Sequence, residues 1–152
     1  MSKPASDLVA DGIPEDLANE LRAAAEALVT KQREADLRAA AFQTWSVIAR
    51  IIANELEEAN DEFLTAAARA QLRFEHEAFE DGVGSIAEGI IILFKREAPL
   101  IEARITAFPD STLLLDISEI TGSEPFVLGL DECTRSLWRE IVARMIRRSN
   151  LN

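Results

Sequence analysis

At 152 residues, 48% hydrophobic and 28% charged, the chain has the length and composition of one soluble globular domain with a proper core. A formal net charge of −11 argues against a general nucleic-acid binder, because phosphate contacts need clustered Lys and Arg. The single cysteine, Cys133, excludes an intrachain disulfide framework, and the absence of Tyr beside one His leaves few general acids and bases.

Residues 1–12 (MSKPASDLVADG) read as a flexible lead-in without the apolar core of a signal peptide. The longest strongly apolar run, Ile90–Phe94, is too short to span a membrane, so the expected location is cytoplasmic. Residues 13–152 read as a single α+β domain: a long N-terminal helix or two helices, an antiparallel meander of four to five strands, and a closing C-terminal helix.

Pro14 suits a first helical turn, with Glu15 and Asp16 complementing the helix dipole. No Gly and no further Pro occur before Asp81. Leu17, Leu21, Ala24 and Leu28 step by four, three and four, a short heptad-like stripe, and Ala23–Ala25 make a slim surface beside it. Thr30–Asp36 (TKQREAD) interrupts the stripe with polar residues and reads either as exposed helix or as a hinge. With nothing there to stop a helix, one long or gently broken helix is preferred. Residues 14–35 are then a candidate protruding interaction segment.

Ala41–Leu64 carries Phe42, Trp45, Ile48, Ile52, Leu56, Ala59 and Phe63 at spacings of three or four, which places them on one helical face. Arg50, Glu55, Glu57, Glu58 and Asp61 fall mostly outside it, and Asn60-Asp61 reads as a late break. At Gln71–Glu77 the period changes to two, with Leu72, Phe74 and His76 alternating against Arg73, Glu75 and Glu77, as in a half-buried strand. Glu80–Gly89 holds three Gly in ten residues and reads as a loop. Ile90–Lys95 reads as a central strand, with a short buried helix as the competing reading for 85–97. Arg96–Leu100, with Pro99, turns the chain. Residues 101–108 and 112–118, separated by Pro109-Asp110-Ser111, predict a hairpin. Thr121–Pro125 reads as a turn and Phe126–Leu130 as a last strand. Asp131 is the expected N-cap of a helix near Glu132–Arg148 that buries Leu137, Trp138, Ile141, Val142, Met145 and Ile146.

The chemistry-bearing patterns are weak. Gly82-Val83-Gly84-Ser85-Ile86-Ala87 matches G-x-G-x-x-A, but Gly89 and a β-rich run leave no room for the helix a dinucleotide site requires. Glu75-His76-Glu77 with Glu80 and Asp81 is the sole His–carboxylate cluster, yet strand alternation points His76 away from its neighbours, so a half-buried His is the better reading. Cys133 is expected in a first helical turn, where the dipole would lower its thiol pKa, but Asp131 and Glu132 oppose a thiolate. Arg135, Arg139, Arg144, Arg147 and Arg148 make the end of the chain locally basic; internal ion pairs and dipole complementation account for them. No catalytic residue, cofactor or metal is expected.

The expectation that results is a non-catalytic protein-interaction or oligomerisation module that pairs with itself, as a homodimer, or with one protein partner. Its contacts would come from Leu17, Leu21, Ala24 and Leu28. Nucleic acid and membrane are not expected partners. A chaperone for a secreted protein also suits a small acidic α+β chain. The alternative is a small-molecule-binding domain with an apolar pocket between sheet and helix, lined by residues such as Trp45, Phe74 and Phe94.

Overall fold

The computed structural model describes residues 14–64, 69–79 and 84–149. The lead-in expected over 1–12, with Glu80, Asp81, Gly82 and Val83, lies outside them. The elements run α1 (Glu15–Glu62), β1 (Ala70–Ala78), β2 (Ala87–Lys95), β3 (Ala98–Ala107), β4 (Thr112–Asp116), α2 (Ser118–Thr121), β5 (Phe126–Gly129), a 3₁₀ turn (Leu130–Glu132) and α3 (Arg135–Ser149). The class is α+β, with a five-stranded antiparallel meander in the order β1-β2-β3-β4-β5. No helix among the described residues is long and apolar enough to cross a membrane.

Two compact units divide the chain, residues 1–36 and residues 37–152. α1 is one unbroken helix of 48 residues, so Thr30–Asp36 is helical. Lys31, Gln32, Arg33, Glu34 and Ala35 are all good helix formers, and none of the seven residues is Gly or Pro.

In the second unit the core forms where strand and helix periodicities meet. Trp45, Ile48, Ile52, Leu56 and Ala59 are buried, joined by Ala41 and Ala49 on the same side of α1. Against them stand the inward residues of the sheet: Leu72, Ile91, Leu93, Ile101, Ala103, Ile105, Ala107, Leu113 and Leu115. Trp138, Ile141, Val142, Met145 and Ile146 of α3 complete the cluster. Gly89 on β2 is needed for this fit, because a Cβ there would lie 2.8 Å from the ring of Phe74 and 3.4 Å from that of Trp45.

Two side chains seal the seams. Asn60 accepts the N–H of Leu72 at 2.8 Å and donates to its carbonyl at 3.0 Å, so it pairs with the outer edge of β1 as a neighbouring strand would. Arg38 donates to the carbonyls of Phe79, Ser85 and Gly84 at 2.7, 3.2 and 3.3 Å, fastening α1 to both sides of the β1–β2 connection.

Several local expectations are corrected. Phe63 lies just past the end of α1 and is 58% exposed, although its N–H still donates to the Ala59 carbonyl at 2.9 Å. Pro99 sits inside β3 rather than in a turn, opposite Phe94 where the register shifts, a position that tolerates the missing N–H. The turn is Arg96-Glu97 alone, with φ of 52° and 66°. Ser118–Thr121 is a helical turn: Asp116 accepts the Ser118 N–H at 3.0 Å, and Gly122, at φ 72°, stops it. Asp131 does not cap the last helix; its carboxylate lies against Gly129. α3 starts after Thr134, whose carbonyl accepts from Leu137 and Trp138 at 3.1 and 3.4 Å.

Candidate interaction surface

The first part of α1 begins as its sequence requires. The Ala18 N–H donates to the Pro14 carbonyl at 2.9 Å, closing the first turn, and Glu15 and Asp16 occupy its electropositive end. Polar side chains satisfy one another along the helix: Arg22 donates to Asn19 at 2.6 Å, Gln32 to Asp36 at 2.9 Å, and the Thr30 hydroxyl to the Glu26 carbonyl at 3.0 Å. Ala18, Ala23, Ala24, Ala25 and Ala27 keep the helix slim.

On this helix Leu17 is 43% exposed, Leu21 49% and Leu28 68%, with Ala24 exposed between them. Val29 and Leu37 are also exposed. Ala18 alone is buried between Glu15 and Asp36. Leu17, Leu21, Ala24 and Leu28, exposed at spacings of four, three and four, form an apolar line rather than scattered points, the arrangement that another helix can cover.

A second feature is a charged cluster joining the end of α1 to α3. Glu55 is the one buried charged residue among those described, its side chain 4% exposed. It accepts hydrogen bonds from Nε of Arg135 and, at 3.2 Å, from Nε of Arg139. Glu58 holds the other end of Arg135 at 3.0 and 3.1 Å. Burial alone would raise the Glu55 pKa, but the hydrogen bonds and positive charge of Arg135 and Arg139 outweigh it and hold the carboxyl below its ordinary 4.5. Beside the cluster lies an open groove of 870 Å³, floored by Ala59, Val142 and Ile146 and walled by Phe63, Arg139 and Arg147. Since the cluster's charges satisfy each other, its evident effect is to lock α1 onto α3.

The remaining candidates are dispersed. Cys133 is buried between the 3₁₀ turn and α3, not in a helical first turn, and its thiol donates to the Gly129 carbonyl at 3.5 Å. Burial and the charges of Glu132 and Asp131 push it up to about 11, against use as a nucleophile at neutral pH. His76 is exposed rather than half-buried, stacked on Phe74 with ring centroids 4.6 Å apart. No His/Cys/Asp/Glu group among the described residues is arranged to hold a metal ion. Gly84 leads into strand β2, not into a helix. Arg144 and Arg147 pair with Glu140 at 2.9 and 3.4 Å. Trp45 and Phe74 pack together on the inner side of the sheet, while Phe94 lies on the other side under Arg73, so these three do not line one cavity.

Sequence reasoning missed Glu55. A carboxylate between helix stripe positions reads as solvent-facing, and the signal that corrects it, Arg135 and Arg139 one helical turn apart, lies 80 residues away. No protein-family model, curated protein or solved structure matches this chain.

Proposed function

We propose that this chain is a non-catalytic protein-interaction module of the cytoplasm whose contact surface is the apolar stripe of residues 14–35. The observation that carries this reading is the exposure of Leu17, Leu21 and Leu28 at heptad spacing on a continuous helix. Two further features support it. The ionisable cluster best placed for chemistry, Glu55 with its arginines, is saturated by its own partners, and the thiol of Cys133 is held protonated. The sole cysteine also fits a reducing compartment.

Covering the stripe removes three leucines from water, about 1–2 kcal/mol each at this partial exposure. Placing Glu at two of these positions removes that gain and sets charges in the interface. The test is Leu21→Glu with Leu28→Glu, assayed by light scattering behind a sizing column at several concentrations and by partner capture from native lysate. The double variant is expected to lose self-association or partner capture while keeping the wild-type circular dichroism. Unchanged mass and unchanged capture would overturn the reading.

A further inference from the structure

We infer that the free edge of β1 takes up an extended segment of another protein, basic and apolar at alternate positions, as an added antiparallel strand. The site lies wholly within the second unit and does not rest on the stripe of residues 14–35. β1 is an outer strand of the sheet and runs for 9 residues, whereas the opposite outer strand, β5, has 4. Leu72 bonds Asn60 through both its N–H and its carbonyl, so its backbone faces outward, and by strand alternation so do those of Phe74 and His76. The Phe79 N–H, donating to the Ile86 carbonyl at 2.7 Å, fixes the same phase from the other end. Among the described residues, no hydrogen bond reaches the outward backbone groups of Phe74 and His76. Such a row is a template for a further strand.

α1 turns this edge into a groove of 440 Å³, with Leu56, Leu72 and Phe74 as its apolar floor. The side chains of an added strand alternate. One set enters the groove beside Leu56 and Phe74, and the other lies on the open sheet face beside Glu75 and Glu77. Glu57 and Asp61 line the groove from α1, and Glu75 and Glu77 are exposed on β1. Arg73 is turned away from the edge, donating to Gln71 at 3.1 Å and lying 4.5 Å over the ring of Phe94. Arg50, two turns before Glu57, is not among the lining residues. The same acids exclude a second copy of β1. With Asn60 kept on Leu72, residues 74, 76 and 78 are left to pair. Every antiparallel register that joins two or more of them between copies sets Glu75 against Glu75 or Glu77 of the partner subunit, or Glu77 against Glu77 of the partner subunit. Like charges directly opposite destabilise a sheet pair, whereas Lys or Arg at those positions meets an acid. The occupant is therefore a basic strand from a different protein.

The experiment titrates the full chain into a fluorescein-labelled peptide, Lys-Val-Lys-Val-Lys-Val-Lys, and reads anisotropy. Saturable binding is expected, at least about tenfold tighter than for the same peptide with Glu in place of Lys. In an antiparallel pair the residues opposite Phe74 and His76 carry the hydrogen bonds, and their side chains enter the groove. N-methylation of the valines should therefore weaken binding at least about tenfold, and N-methylation of the lysines much less. Equal affinity for the two methylated peptides marks non-specific attraction to an acidic chain and overturns the proposal. The reverse pattern marks a parallel strand and overturns it as stated. Absence of saturable binding overturns it outright and leaves Glu75 and Glu77 as guards against edge pairing. Two variants with wild-type circular dichroism locate the site. Glu75→Lys with Glu77→Lys should exchange the preference, losing the basic peptide and gaining the acidic one. His76→Pro removes one outward N–H while keeping the acids, and should weaken binding at least about fivefold. Binding that neither change affects places the peptide elsewhere and overturns the proposal.

Discussion

Glu55 carries the sharpest consequence at the level of single residues. Its carboxylate is buried, while Arg135 and Arg139 are 58% and 59% exposed, so solvent screens half of the cluster and a fully buried-pair energy does not apply. Glu55→Gln keeps the shape but leaves two arginines without their shared anion. The expected cost is about 1–2 kcal/mol, read as a lowered urea midpoint. The pH dependence has a definite sign. Because the folded carboxyl sits below its ordinary 4.5, its stabilisation is present above that value and is lost as pH falls through the lower, folded value. The stability gap between wild type and Glu55→Gln should therefore be widest near neutrality and close in acid. A gap that stays constant from pH 7 to strongly acid solution would remove Glu55 as its source.

At the level of elements, the β2–β3 hairpin is the place where the backbone and the side chains disagree. Arg96 and Glu97 both take positive φ, the pattern of a two-residue turn that prefers Asn-Gly. Each non-glycine residue in that region is strained by its Cβ. Arg96→Asn with Glu97→Gly should raise stability by about 1 kcal/mol, measured as a higher thermal midpoint with an unchanged spectrum.

This hairpin and the β3–β4 hairpin that follows it show how far the sequence was legible. Period two over 101–107 and the apolar residues at 113 and 115 placed β3 and β4 correctly, because burial on one face leaves its mark at every second residue. Pro99 drew the turn too wide, since a proline at a register shift resembles one in a loop. The long helix was legible for a negative reason, the lack of any Gly or Pro between 14 and 81. Asn60 was not: it reads as a helix break, and its real work, pairing with Leu72 across a change of element, has no local signature. Of the candidate surface, the spacing was legible and the exposure was not. A stripe at heptad spacing looks the same whether it is covered or bare.

For the molecule as a whole, the division at residue 36 has a direct test. Among the described residues, every member of the hydrophobic cluster lies between Ala41 and Ile146, within the second unit. A fragment of residues 37–152 is expected to fold with one cooperative transition and to retain the near-ultraviolet signal of its buried Trp45 and Trp138. It is also expected to be monomeric, since the leucines proposed as the contact surface have been removed. A fragment that fails to unfold cooperatively would show that the first unit contributes to the core after all.

The burial of Cys133 has a use outside any biological role. One thiol in the whole chain, 4% exposed and held protonated by its surroundings, reacts with an alkylating reagent only when the packing around β5 and α3 opens. With opening and closing fast, the labelling rate relative to that of the unfolded chain reports the opening equilibrium in native buffer. The protein thus contains a built-in, single-site clock for its own breathing, readable by intact mass without any engineered probe.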